Sequence, residues 1–556
     1  MSDQKKQSFL HGTALLAMAT AAVKIIGAIY KIPLSVIIGD QGFAYFNTAY
    51  EIYNVLLMIA TAGLPVAMSR MISEQSSLGN HNQVRRTYRT AKFIFLLLGL
   101  IGTLLMTVFC RELANFQGLP EAWSAIGALG PCVLLICVMS SYRGFFQGHG
   151  NMIPTSVSQV LEALCKLIVG MAAAIALLKM TGSIPFAAAG AILGVTASCV
   201  ISALYLAGYF RKSFQSIPHS EDTPDSYGKT AKTLLAIAIP ITIGSAGLSV
   251  LTMLETKIYM SQIKATFDAT MSESDLMYWL SVYNYQGDPL TRTEAIQFIA
   301  DTRKGIYDFS KTIFNMPCAF ITPITISIIP AITSHLALKN YQGAKATEES
   351  AIRITGLVSM PCAMGLAVVA GPVMALLRGY TGEKLALATV LLTILGICVV
   401  FNALVLLTNA IMQSHGHANL PVINLFIGGA LKLVAVYILS GNPEIGIIGG
   451  PIGSILCYGT ITVLNIITMR RCIQHPPAVI KNLLRSLLSA LLMGIVVLAC
   501  RYGLDMITDS RVLLCGIPVA VGVVVYALAA IKLKAITRED CLLLPKGAKI
   551  AKILHL

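Results

Sequence analysis

The chain has 556 residues, of which 56% are hydrophobic and only 12% are charged. Ordinary soluble domains carry about 25% charged residues, whereas here apolar runs long enough to cross a hydrocarbon core of about 30 Å recur along the whole chain. The composition therefore excludes a string of soluble domains and predicts an all-α integral membrane protein. The formal net charge of +15 does not indicate a nucleic-acid partner, because the basic residues lie in short segments between apolar runs and are not gathered in one soluble domain.

The apolar runs predict fourteen transmembrane helices. The first two are the least regular, because charged residues interrupt them and Gly and Pro lie near their ends. In chain order the predicted spans are 11–39, 45–69, 91–110, 122–146, 154–179, 184–210, 233–261, 309–335, 353–377, 385–412, 418–440, 445–469, 482–503 and 511–532.

Orientation follows from the distribution of Lys and Arg. If both termini are cytoplasmic, 25 of the 41 Lys and Arg residues fall in cytoplasmic segments and 10 in extracytoplasmic ones, as the positive-inside rule expects. From the residues before the first apolar run we expect no cleavable signal peptide. One extracytoplasmic loop, about 262–308, is long and holds two amphipathic stretches. They favour either a surface helix or lid, or a tolerated insertion.

A repeat divides the spans into two halves. FFQGHGNMIPTSVSQVLEALCKL at 145–167 recurs in outline as IMQSHGHANLPVINLFIGGALKL at 411–433, so that Gln147 matches Gln413 and Lys166 matches Lys432. We expect two six-helix lobes related by a pseudo-twofold axis along the membrane normal, at residues 1–232 and 233–480. Residues 481–556 would add two C-terminal helices and a basic cytoplasmic tail.

Charged residues inside the predicted spans are the candidate functional residues, because a charge at mid-bilayer usually faces a wet cavity or a partner. Lys24 has about ten apolar or small residues on either side and favours a cavity role. Glu162 and Lys166, four residues apart, either face a cavity or neutralise each other. Residues near span ends have the further alternative of snorkelling. The candidate cavity set is Lys24, Lys31, Glu51, Glu255, Lys257 and Lys432; the candidate structural or gating set is Arg143, Gln147, Glu162, Lys166 and Gln413.

Motifs for soluble catalysis are not found in the sequence, and we expect a protein that is not an enzyme. There is no G-x-x-x-x-G-K-[ST] phosphate loop and no H-E-x-x-H. The thirteen Cys are scattered without a C-x-x-C pair, and His415 and His417 lack an evident third ligand, so we expect no metal and no cofactor. Energy would come from the membrane potential or from Na⁺ or H⁺, and the sequence leaves these open.

Three segments carry a resemblance to a known family: GTALLAMATAAVKIIGAIYKIPLSVIIGDQGFAYF, TAGLPVAMSRMISE and SYRGFFQGHGNMIPTSVSQVLEALCKL. The chain resembles the polysaccharide-type branch of the multidrug/oligosaccharidyl-lipid/polysaccharide exporter superfamily, in particular the stage V sporulation protein B and Gram-positive lipid II flippase group. The resemblance implies a fourteen-helix, two-lobed, alternating-access transporter. It also implies that Lys24 and Lys31 match basic cavity positions of the first helix, with Lys where Arg is common, so that phosphate geometry is less constrained.

The expected function is transport of an undecaprenyl-pyrophosphate-linked cell-wall or polysaccharide precursor across the plasma membrane. The implied partners are this lipid-linked oligosaccharide, the bilayer and, as candidate proteins, cell-wall synthases. Two alternatives stay open: a cation-coupled small-molecule exporter of the same superfamily, and a non-transporting scaffold of envelope synthesis. A vegetative role in peptidoglycan synthesis and a role in sporulation are both compatible with the sequence.

Overall fold

The protein is described by a computed structural model that covers residues 3–218 and 220–536; the predicted basic tail beyond residue 536 lies outside this range. Within it, every regular element is a helix. The α-helices are α1 Asp3–Met58, α2 Leu64–Ser77, α3 His81–Val108, α4 Cys110–Gln117, α5 Trp123–Gly148, α6 Ile153–Thr181, α7 Ile184–Gln215, α8 Tyr227–Thr270, α9 Glu273–Val282, α10 Arg292–Ala337, α11 Tyr341–Arg378, α12 Gly382–Ser414, α13 Asn419–Ser440, α14 Gly449–Cys472, α15 Val479–Asp505 and α16 Arg511–Lys532.

The first helix is interrupted at one residue. Gly39 has φ 69° and ψ −174°, a combination that is essentially restricted to glycine. An ideal Cβ at this position would meet no atom within 4 Å, so the backbone and not the surrounding space requires glycine. The break lies at the predicted end of the first span, and it explains how α1 can hold most of two predicted spans. A π-helical turn, Ile59–Gly63, then joins α1 to α2.

Twelve segments of the described chain are long and apolar enough to cross a membrane. Eleven of them coincide with single predicted spans, and the twelfth, Met18–Ser77, covers the first two. The predicted eighth span falls within α10, which is not among the twelve, although its last part, Ile328–Ala337, is a shorter apolar helix. The multi-pass helical architecture is therefore confirmed, and the count of fourteen stays a prediction.

The predicted loop 262–308 is mostly helical. Ser272 and Asp275 form a capping box at the start of α9, and Thr291 and Glu294 form a second at the start of α10. Such reciprocal bonds satisfy backbone N–H groups that a helix start leaves unpaired. The guanidinium group of Arg292 binds the Asp268 carboxylate and donates to the backbone carbonyl of Asp268 near the end of α8. The two amphipathic stretches therefore form α9, whose side chains are largely exposed, and the start of α10.

The start of α3 is capped by a residue far away in the chain. Asn80 precedes α3 but makes no side-chain cap. Instead, the two carboxylate oxygens of Asp222 accept hydrogen bonds from the backbone N–H groups of Asn82, at 2.9 Å, and Gln83, at 2.8 Å. Burial raises the pKa of Asp222, but hydrogen bonds from Ser220, Asn82 and Gln83 outweigh it and lower that pKa below its ordinary value. The segment after α7 is thereby fastened to α3.

The repeated segments have the same turn geometry. Gly150 and Gly416 have φ 74° and 81°, in the left-handed region. The N–H of Asn151 bonds the carbonyl of Phe146, and the N–H of His417 bonds that of Met412, both at 2.9 Å. The repeat thus extends to local backbone conformation. The pseudo-twofold relation between lobes stays a prediction.

The chain packs as two compact units. The first comprises the chain up to Lys264 together with Ala300–Asp308, and the second comprises Ala265–Ile299 and the chain from Phe309 onward. These units are defined by packing, so they do not test the lobe boundary that the repeat predicts at residue 232. That boundary stays a prediction. In the first unit α6 and α7 approach closely: an ideal Cβ on Gly194 would collide with the backbone of Gly170. Small residues that allow such contact are typical of helix pairs in membranes.

Candidate functional site

A cavity of about 480 Å³ lies within the first unit. Its wall is formed by α1, α2, α5, α6 and α7 and by the π-helical turn. A volume of this size is typical of small-molecule binding sites. The lining residues that bear polar or aromatic side chains are Thr20, Lys24, Tyr30, Tyr50, Tyr53, Asn54, Thr61, Ser140, Arg143, Gln147, Gln159, Glu162 and Lys166.

Basic side chains outnumber acidic ones in this wall. Among the described lining residues, Lys24, Arg143 and Lys166 are basic and Glu162 alone is acidic. They come from α1, α5 and α6, so the helices bring together charges that are more than a hundred residues apart in the chain. A cavity with this excess of cations favours an anionic ligand.

Arg143 and Glu162 form an ion pair across α5 and α6, with 3.1 Å between Nη2 and Oε2. Arg143 Nε also donates to Ser158 Oγ at 3.0 Å. The two side chains are 12% and 25% exposed, so the pair is largely shielded from water. The sequence left open that Glu162 neutralises Lys166, but its ion-pair partner is Arg143. The pair fixes the direction of the guanidinium group.

Lys166 lies against two tyrosine rings. Its Nζ is 4.6 Å from the ring centroid of Tyr50 and 5.5 Å from that of Tyr30. Both distances are within the range of cation–π attraction. The rings hold the ammonium group beside the cavity. Unlike a carboxylate, they do not neutralise its charge. Lys166 is thus available to an anionic ligand.

Lys31 also lies near Tyr50. Its Nζ donates to Asn47 Oδ1 at 3.2 Å and lies 5.9 Å from the ring centroid of Tyr50. Lys31 does not line the cavity, whereas Lys24, two turns earlier on α1, does. Of the two basic positions of the first helix, Lys24 therefore lies at the cavity and Lys31 lies outside its lining.

Two buried polar atoms of the described cavity wall have no hydrogen-bond partner. They are Tyr50 Oη and Gln159 Oε1. Buried polar atoms are seldom left unsatisfied without water or a ligand. Gln147, Asn54 and Ser140 add further polar groups. The wall can therefore bind hydroxyl or amide groups as well as an anion.

Glu51 belongs to a second, buried cluster. Lys304 Nζ lies 2.7 Å from both carboxylate oxygens of Asp308 and 3.3 Å from Glu51 Oε1. Lys304 is 0% and Asp308 3% exposed. Lys304 and Asp308 belong to the predicted extracytoplasmic loop 262–308, but they do not lie on its surface, because their segment of α10 packs within the first unit. Their spacing of four residues was the signal for an ion pair, but nothing in the sequence indicated burial.

The remaining candidates lie apart from the 480 Å³ cavity. Glu255 Oε1 accepts a hydrogen bond from Tyr307 at 3.1 Å, and Lys257 lies 3.7 Å from the ring centroid of Phe116. Both belong to the first unit. Lys432, half-buried in α13, and Gln413, exposed near the end of α12, belong to the second. Their assignment to substrate binding or gating stays a prediction.

No group of three His, Cys, Asp or Glu side chains that could hold a metal ion occurs in the described part of the chain.

Comparison with protein families agrees with this arrangement. The model of the polysaccharide biosynthesis protein family matches residues 9–335, more than half of the chain. The chain belongs to this family. A second family model, described as the lipid II flippase MurJ, matches residues 291–509.

Two relatives come from Bacillus subtilis (strain 168). The lipid II flippase MurJ is 24% identical over 441 residues, 76% of each chain. Stage V sporulation protein B is 24% identical over 469 residues, 84% of each chain. The resemblance to the exporter superfamily and to this group is confirmed.

Solved structures show the same fold. The lipid II flippase MurJ in an inward closed conformation matches with a TM-score of 0.67 and 14% identity, over 93% of this chain and 98% of that one. An inward-facing multidrug resistance MATE family transporter matches with a TM-score of 0.59 and 15% identity, over 82% of this chain and 93% of that one. The chain has the fold of these transporters, in agreement with the expectation of a protein that is not an enzyme.

Proposed function

We propose that this protein is a flippase that moves an undecaprenyl-pyrophosphate-linked cell-wall or polysaccharide precursor across the plasma membrane. The observation that carries the proposal is the cavity of the first unit, where Lys24, Arg143 and Lys166 face one acidic side chain. Membership of the polysaccharide biosynthesis protein family and the similarity to a lipid II flippase support it.

The pyrophosphate would be bound by charge. The ammonium groups of Lys24 and Lys166 would act as point charges, because lysine lacks the rigid fork of arginine. The Arg143 guanidinium, directed by Glu162 and Ser158, would add oriented donors. Phosphate is the anion that best matches several cations converging from three helices.

The sugar would be bound by the polar and aromatic wall. Gln159 Oε1 has no partner and would accept a hydrogen bond from a sugar hydroxyl. Tyr50 Oη would donate one. The lipid tail would stay in the bilayer while the head crosses, so that only polar groups need a path through the protein.

Transport would proceed by alternating access between two six-helix lobes, with fourteen spans and both termini in the cytoplasm. The membrane potential, Na⁺ or H⁺ would supply the energy, and cell-wall synthases would use the product. The match to stage V sporulation protein B supports a role in sporulation, and a vegetative role is the alternative.

The second candidate is a cation-coupled small-molecule exporter. The similarity to a multidrug transporter structure supports it, as does the buried cluster of Glu51 and Asp308 around Lys304. Glu51 lies in a segment long and apolar enough to span the membrane, and carboxylates inside such segments often serve as proton relays. The excess of cations in the larger cavity favours the flippase.

One reconstitution experiment tests the proposal. Purified protein in liposomes is given a fluorescent lipid-linked saccharide pyrophosphate in one leaflet, and its appearance in the other leaflet is measured. We expect translocation that is lost in Lys24→Ala and kept in Lys179→Ala, a matched control at an exposed lysine near the end of α6. Gradient-driven efflux of a cationic drug without lipid movement would favour the exporter, and neither activity would favour a scaffold.

A further inference from the structure

The histidine turn after α12 has a chemical partner that its counterpart in the first half lacks. His415 Nε2 lies 2.6 Å from Glu348 Oε1, near the start of α11. In the matching turn, His149 Nδ1 contacts the backbone carbonyl of Phe145 in its own helix. The two turns share their backbone geometry, so the contact with Glu348 is a property of the second unit.

The partner position differs in the same way. The helix starts at α3 and α11 are alike: the N–H of Asn80 bonds the carbonyl of Gln75, and the N–H of Asn340 bonds that of His335, both at 2.9 Å. Eight residues after each asparagine stand Tyr88 and Glu348. Tyr88 packs on Phe145, with ring centroids 5.5 Å apart. An aromatic contact in one half is therefore replaced by a titratable pair in the other.

Water can reach this pair from a small cavity. Glu348 is 1% exposed, and its Oε2 has no hydrogen-bond partner. Glu348 and His415 line a cavity of about 210 Å³, enough for several water molecules at about 30 Å³ each. The other titratable groups that line it are Tyr341 and Lys345 of α11, His417 of the turn, Cys472 at the end of α14, and His475 just beyond it.

Glu348 is the only carboxylate among these described lining residues. The neighbouring Glu349 accepts a hydrogen bond from the backbone N–H of Ala478 and does not line the cavity. His415 is therefore the group at contact distance from the Glu348 carboxylate, and Lys345 is a further basic residue of the same cavity wall.

We propose that Glu348 and His415 form a proton-operated latch that joins the start of α11 to the end of α12 in the second unit. With the imidazole protonated and the carboxylate ionised, the contact is a charge-assisted hydrogen bond, about twice as strong as a neutral one. Loss of the imidazole proton as pH rises leaves a buried carboxylate without its nearest counter-charge. Gain of a proton by the carboxylate as pH falls removes the other charge. The latch is closed between these two ionisations and released on either side.

The latch makes the turn of residues 414–418 sensitive to proton concentration. It needs no particular transported substrate, so it stands or fails independently of the proposed function.

A double-mutant cycle on the full-length protein in lipid nanodiscs tests the latch. Thermal unfolding is measured for wild type, Glu348→Gln, His415→Gln and the double variant at about pH 6 and about pH 8.5. We expect the pair to be coupled by roughly tenfold in the unfolding constant at the lower pH and by less than about threefold at the higher pH. The matched cycle of Tyr88→Phe and His149→Gln should show no such pH dependence.

Local opening is followed by hydrogen exchange of the backbone at residues 411–418. Rates in wild type are divided by those in His415→Gln at the same pH, so that the intrinsic effect of pH cancels. We expect wild type to exchange about fivefold more slowly at the lower pH and equally fast at the higher pH. This comparison holds even if Glu348→Gln does not fold. Equal ratios at both pH values, or a coupling that does not change with pH, would overturn the proposal.

Discussion

The three basic side chains of the first cavity have different surroundings. Arg143 is directed by a carboxylate, Lys166 is held by two tyrosine rings, and Lys24 lines the cavity from an exposed position on α1. An ion pair reduces the charge that a ligand senses, whereas a cation–π contact leaves most of it. Binding of a charged ligand should therefore depend on Lys166, and Lys24 adds a further basic side chain to the cavity wall.

Lys24→Ala should abolish complementation in a strain depleted of its lipid-linked-precursor flippase while leaving membrane expression intact. Loss of one charged hydrogen bond costs about 1.5–3 kcal/mol, which corresponds to at least about a tenfold loss of affinity. Lys24→Arg should retain growth because it keeps the charge. Full growth of Lys24→Ala at normal expression would remove this residue from the mechanism.

Glu162→Gln should lower the stability of the first unit. The change leaves Arg143 with Ser158 but without a counter-charge, and because the pair is partly exposed we expect about 1–2 kcal/mol, less than for a fully buried pair. The measurement is thermal unfolding in detergent. Glu112→Gln, at an exposed carboxylate of α4, is the matched control. An equal midpoint for both variants would show that the Arg143–Glu162 contact contributes nothing.

At the scale of elements, the N-termini of the helices are capped by contacts of two kinds. Capping boxes at α9 and α10 are local and can be seen in the sequence as S-x-x-D and T-x-x-E. The cap of α3 by Asp222 joins residues 140 positions apart. The sequence offers no spacing rule for such a partner, and only the fold identifies it.

Asp222→Ala should fray the start of α3, at a cost of about 1 kcal/mol. Because the pKa of Asp222 is lowered in the folded protein, the cap stabilises α3 above the ordinary carboxyl pKa and is lost as pH falls through the lowered value. Faster hydrogen exchange of residues 82–86 in the variant at neutral pH, merging with wild type in strong acid, is the expected result. In Asp225→Ala the side chain that pairs with Lys229 is lost, but the backbone N–H that donates to Gln83 Oε1 is kept, so this exchange should be unchanged.

For the whole molecule, the apolar runs predicted the membrane-spanning helices. They did not predict which charged residues pack inside the protein. The multi-pass helical architecture and the repeat followed from apolar length and from the matched Gln147 and Gln413 turns. The burial of Lys304 did not, because a charged segment reads as a loop until its partners Glu51 and Asp308 are known. For the site, Lys24 was predicted as a cavity residue, but the cation–π contacts of Lys166 involve tyrosines whose proximity no spacing in the chain encodes.

The number of spans can be decided by labelling from outside the cell. Fourteen spans place five crossings between α9 and the end of α14, so Met277→Cys and the native Cys472 should lie on opposite sides of the membrane. Both positions are exposed. We expect a membrane-impermeant maleimide to label Met277→Cys in intact cells and Cys472 only after permeabilisation. Labelling of both from one side would mean that α10 does not cross.

The break at Gly39 also determines which substitutions position 39 can tolerate. Its conformation disfavours any residue with a Cβ, while the space around it would admit that Cβ. Saturation mutagenesis should therefore give a flat profile at this position, with alanine as damaging as tryptophan. At Gly194, where a Cβ would meet the backbone of Gly170, the loss should instead grow with side-chain volume. The two fitness profiles would separate a glycine required for its torsion angles from a glycine required for its small size.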